Sequence, residues 1–124
     1  MLEYQDRFDY SLDEFVDETV DQLSNESRGS APDSLLRRAL QRLIGAITGI
    51  RGGATQPVVS HNIYEAELLI GQATQRISSG PAVRQLGLAR RSIEAARRER
   101  FRSPAQAARL RGAIWHIQAA LRQF

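Results

Sequence analysis

The stretch 81-PAVRQLGLARRSIEAARRERFR-102 carries seven arginines against two glutamates. Its spacing decides how the rest of the chain is read. At 100° per residue, Arg84, Arg91, Arg98 and Arg102 fall within roughly 40° of one another on a helix. Arg90 and Arg97 widen that stripe on one side. Opposite them, Ala82, Leu86, Ala89, Ile93 and Ala96 form an apolar seam. The pattern predicts a helix that packs one face and presents a cationic rail on the other. It points to a class of partner, not to a reaction.

Working outward, the residues on either side repeat the apolar half of this pattern. Ser103, Pro104 and Gln106 make a helix start with a reciprocal cap. Ala107, Leu110, Ile114, Ile117, Leu121 and Phe124 then recur three and four apart. Upstream, Ser60 is read as the cap of a helix over 61–78, with Ile63, Ala66, Ile70, Ala73 and Ile77 as its seam. Pro32 suits the first turn of another helix reaching about residue 47, with Leu36, Ala39, Leu40, Leu43 and Ile47 inward and Arg37, Arg38 and Arg42 outside. The run GAITGIRGG, with Gly45, Gly49 and Gly53, is expected to end that helix, because an interior glycine costs roughly 1 kcal/mol relative to alanine. That leaves 50–59 as the longest loop. No segment alternates as a strand does.

The N-terminal part differs in charge. Residues 1–26 hold nine acids and one arginine, whereas 27–124 hold sixteen arginines and five acids. The formal net charge of +3 averages two opposed segments. Ser11 and Glu14 form a capping box. From there to about residue 24, Leu12, Phe15, Val16, Thr19 and Leu23 share a face, while Asp13, Glu14, Asp17, Glu18 and Asp21 cover the remainder. Tyr4, Phe8 and Tyr10 suggest an arm that packs on something, since disordered segments carry few aromatics. The expected fold is all-α: a compact bundle of four helices plus an acidic N-terminal amphipathic helix, with 1–28 as the acidic arm and 29–124 as the basic bundle.

Several chemistries find no residues to carry them. The chain has no cysteine, so disulfides and thiolate chemistry are excluded. His61 and His116 stand apart from any carboxylate set with metal-ligand spacing, and no metal or cofactor is expected. Every basic residue is arginine, so no phosphate loop with a lysine exists. A GC-rich genome, which favours arginine codons, accounts for that bias, and so does selection for guanidinium groups, which grip phosphates bidentately. No apolar run reaches bilayer length and no secretory start is evident, so a cytoplasmic protein without a membrane partner is expected.

What remains is the cationic surface. A stripe with so few acids suits sequence-independent binding to phosphates, an acidic protein surface, or plain solvation. On the last helix Arg111, Trp115, Gln118 and Arg122 lie off the seam. Trp115, the only tryptophan, could stack on a base, anchor an interface, or widen the buried face. The candidate nucleic-acid-binding set is therefore Arg84, Arg90, Arg91, Arg97, Arg98, Arg102, Arg111, Trp115 and Arg122, with no catalytic residue assigned.

Arg111 and His116, separated by four residues, resemble the RNase motif of HEPN helical domains. Those domains place a polar residue after the arginine where this chain has Gly112. The two side chains would point about 140° apart on one helix. A metal-independent RNase is the third reading on this ground. In size, all-helical character and basic face, the chain resembles the helical small subunits of CRISPR effector complexes. That resemblance implies a non-enzymatic subunit gripping RNA or single-stranded DNA inside an assembly. Its acidic arm would link copies or partner subunits, or fold back on the rail. A small protein-binding inhibitor or adaptor is the alternative.

Overall fold

The computed structural model describes residues 31–124; the acidic arm and its helix lie outside the described residues. Four helices follow in order: α1 Pro32–Gly52, α2 Gln56–Thr74, α3 Gly80–Arg98 and α4 Pro104–Leu121. No strand occurs among the described residues. α1 and α2 form one hairpin, α3 and α4 another, and α1 packs on α4 to join them. α2 meets α3 least, and the diagonal pairs do not pack.

The seams read from spacing are the core. Ala82, Leu86, Ala89, Ile93 and Ala96 of α3 are all fully buried, as are Leu36, Leu40 and Leu43 of α1 and Leu110, Ile114 and Ile117 of α4. Each side chain of this size contributes about 1.5–3 kcal/mol when taken out of water. Burying these stripes against one another is what orients the four helices, since most of a helix's stability in a protein comes from packing its apolar face.

The largest departure from expectation is at the glycines. α1 does not stop near residue 47. It continues through Gly45 and Gly49 to Gly52, and Gly53 closes it at φ 84°, with Ala54 N–H returning to the Gly49 carbonyl at 2.8 Å. This is the left-handed glycine cap that satisfies orphaned carbonyls. Gly49 is tolerated inside the helix because a neighbour needs the space. A Cβ there would sit 3.1 Å from the Ala54 Cβ and 3.3 Å from Val59 Cγ2. The anticipated loop at 50–59 therefore shrinks to Gly53–Thr55. α2 starts at Gln56 with Pro57 in its first turn, so Thr55, not Ser60, precedes it. Val59, assigned to the loop, is buried in the core. At its far end α2 stops at Thr74 instead of 78, in two turn-type bonds from Arg76 and Ile77 N–H to Ala73 and Thr74 carbonyls.

The junction of α3 and α4 follows its sequence signature closely. Ser103 Oγ accepts from Gln106 N–H at 3.0 Å, and Gln106 Oε1 accepts from Arg102 N–H at 3.1 Å. The same Gln106 donates through Nε2 to the Ala96 carbonyl, as a second donor beside the Glu99 N–H that closes helix α3. Phe124, placed on the last seam by spacing, falls beyond the end of α4 and is exposed.

Candidate nucleic-acid interface

Two neighbours fix the rotation of α3 about its axis. On one flank, His116 Nδ1 of α4 pairs with Gln85 Oε1 at 2.9 Å, and Gly112 lies beside Ser92. On the other flank, Arg97 Nη2 donates to Glu67 Oε1 of α2 at 2.8 Å. With the seam inward and both flanks engaged, the helical period points Arg84, Arg91 and Arg98 directly away from the core. All three are exposed, and successive members are about 10 Å apart along the axis. None of them forms an ion pair with another described residue, nor does Arg90. Glu94 is the single acid on α3.

The expected stripe thus divides. Arg97 neutralises Glu67, and its neighbour Arg90 turns with it toward α2, lining a groove together with Tyr64, Leu68 and Gly71. These two arginines do not belong to the same face as Arg84, Arg91 and Arg98.

Arg102 leaves the stripe altogether. Helix α3 ends at Arg98, and Glu99 adopts extended backbone. Arg102 itself sits at φ 69°, a left-handed conformation that few non-glycine residues adopt. Its guanidinium stacks over Phe101 at 5.3 Å and donates to the Ala54 carbonyl at 2.8 Å. It ties the α3–α4 connection to the α1–α2 connection. Its role is architectural, and the four-residue helical extrapolation from Arg98 fails because the chain turns to reach the Ser103 cap.

The α4 candidates sit elsewhere. Trp115 is 56% exposed, so it does not widen the buried face. Its ring meets the His116 ring edge-on, with centroids 5.1 Å apart. Arg122 is exposed and Arg111 is half-buried with a polar partner of its own. Counting by helical angle, Trp115 lies about 60° round α4 from Gly112, next to the Gly112 and His116 edge that meets α3, and Arg111 and Arg122 lie further round. His116 is committed to Gln85, and partial burial holds its imidazole below the ordinary value.

Two surface features escaped the reading of the sequence. Tyr64 and Leu68, spaced i and i+4 off the α2 seam, remain 47% and 46% exposed beside Arg90 and Arg97. Their spacing was the available signal. The second is an open groove of about 860 Å³ where α1 meets α2, lined by Arg38, Arg42, Gly45 and Gly49. There Arg42 Nη1 donates to Asn62 Oδ1 at 3.3 Å. No group of three or more metal-ligating side chains occurs among the described residues, and none of their helices is long and apolar enough to cross a membrane.

The chain matches no protein-family model, and no match is found among curated proteins or solved structures.

Proposed function

We propose that the protein binds RNA or single-stranded DNA through its phosphates, without catalysis, and that α3 is the contact surface. The observation that carries this reading is the line Arg84, Arg91, Arg98: exposed, outward and without ion-pair partners among the described residues. An unneutralised guanidinium grips a phosphate group with two parallel N–H···O bonds, and its charge releases counterions condensed on the nucleic acid. Such contacts position a strand and read no sequence. Arg90 extends the grip at the edge of the groove, whereas Arg97 is occupied by Glu67. Trp115, flanked on its helix by Arg111 and Arg122, is a separate platform for a base or an interface. Membership of a larger nucleoprotein assembly follows the same logic as the resemblance to helical CRISPR subunits, namely size, helical character and a basic face.

The test is filter binding of labelled single-stranded RNA and DNA to the full chain and to an Arg84→Gln, Arg91→Gln, Arg98→Gln variant at one low salt concentration. All three positions are exposed, so folding should be retained, which circular dichroism checks. The reading expects affinity to fall at least tenfold for both polymers. Equal affinity of the two proteins would overturn it. Failure of the parent protein to bind either polymer would favour the protein-binding adaptor instead.

A further inference from the structure

The groove between α2 and α3 is an unfinished helix-packing site. Adjacent helices elsewhere in the bundle close on one another, but α2 and α3 touch least. Between them lie two connected hollows of about 430 and 270 Å³ that share Tyr64 and Arg97 as walls. The apolar floor is Tyr64 and Leu68, both about half exposed. Neighbouring exposed apolar side chains in a hollow are the kind of surface on which a partner element packs. The rim carries two arginines, Arg90 and Arg97, and two glutamates, Glu67 and Glu99. The groove's own acids, Glu67 and Glu99, are already paired with Arg97 and Arg109, at 2.8 and 3.8 Å. Arg90 has no ion-pair partner among the described residues.

A helix seated here needs an apolar stripe and acids at its margins. The chain itself contains one segment of that kind. Residues 11–24 place Leu12, Val16, Thr19 and Leu23 at i, i+4, i+7 and i+11, the anchor spacing of a helix lying in a groove, with five acids around them. The connection permits it. α1 is joined to α2 by three residues, so the two run antiparallel and the start of α1 lies at the end of the bundle where α2 finishes. Residues 25–31 extend to at most about 25 Å, and fourteen helical residues span about 21 Å against about 28 Å for α2.

We propose that residues 11–24 of the same chain occupy the α2–α3 groove as a fifth helix, burying their apolar stripe on Tyr64 and Leu68 and setting their carboxylates beside Arg90. The chain's opposed charges are then partners within one molecule. The outward line of Arg84, Arg91 and Arg98 stays uncovered, so the groove and the rail act independently.

Paramagnetic broadening in the full chain tests this without nucleic acid, so the result does not depend on the reading of the rail. The protein has no cysteine, so Gln22→Cys accepts a single nitroxide label and leaves every acid in place. In uniformly ¹⁵N-labelled protein, amide signals of Tyr64, Leu68, Gly71 and Arg90 should be lost, and those of Arg111, Trp115 and Arg122 retained. A Tyr64→Ser, Leu68→Ser variant, altered only at exposed positions, should recover the lost signals. Full retention of the groove signals would overturn the proposal, as would broadening centred on Trp115. Broadening that appears when spin-labelled ¹⁴N protein is mixed with unlabelled ¹⁵N protein would assign the groove to a second copy's segment and overturn the intramolecular form.

Discussion

Helix α3 carries the same residue at the same seven-residue interval on two of its faces, and the two faces have different fates. Arg84, Arg91 and Arg98 look outward with no ion-pair partner among the described residues. Arg90 and Arg97 look toward α2, where Glu67 claims one of them and an apolar floor adjoins both. Charge and spacing are alike; the neighbouring helix makes the difference. An arginine beside a carboxylate 2.8 Å away is already spent, while one with no carboxylate partner among the described residues remains available to an incoming anion.

The comparison breaks most severely if the shared support is removed. Ile93 is fully buried on the seam that sets the rotation of α3. Ile93→Ala should cost about 2–5 kcal/mol in urea unfolding and degrade both faces together. A variant as stable as the parent would mean that the seam does not hold the helix in place.

A smaller loss tests the end of the helix. Gln106 is buried and bonds both the Arg102 N–H and the Ala96 carbonyl. Gln106→Ala should destabilise by about 1–3 kcal/mol, because it removes both bonds and leaves the part-buried Arg102 N–H without its acceptor. A change of only a few tenths in the unfolding midpoint energy would place that junction in solvent instead.

Smaller still is the contrast between the faces themselves. Arg97→Gln removes an ion pair with Glu67 and should cost about 0.2–1 kcal/mol, the range for partly exposed pairs. Arg91→Gln should leave stability unchanged within about 0.5 kcal/mol. Equal losses in thermal unfolding would erase the distinction between spent and available arginines.

The smallest effect is one of pH. The His116 imidazole is held below its ordinary value by burial. Its unfolded form therefore takes up a proton at higher pH than its folded form does, near 6.5. The contribution of neutral His116 is fully present above that value and is lost as pH falls below it. His116→Gln should flatten this part of the stability profile measured by urea unfolding between about pH 7 and 5; an unchanged slope would contradict the assignment.

Much of this architecture is legible from residues close together in sequence. The seam Ala82, Leu86, Ala89, Ile93, Ala96 and the Ser103–Gln106 cap are local patterns, and both hold. What is not legible depends on partners far along the chain. Gly49 reads as a helix stop until Ala54 and Val59 fold back against it. Arg102 reads as the last step of the stripe until the loop carries it to the Ala54 carbonyl, forty-eight residues away. Arg97 differs from Arg91 only through Glu67 on another helix. Spacing sets Tyr64 and Leu68 off the α2 seam, but they become a groove floor only because α2 and α3 part.

The most direct test of the central claim is the slope of log binding constant against log salt for single-stranded RNA, measured on the parent, on Arg97→Gln and on the triple rail variant. Each lost phosphate contact removes about 0.7 of slope on a single strand, so the triple variant should lie about 2 units shallower than the parent. Arg97→Gln should match the parent. Equal slopes for the parent and the triple variant, or an Arg97→Gln slope reduced as far as that of the triple variant, would contradict the account.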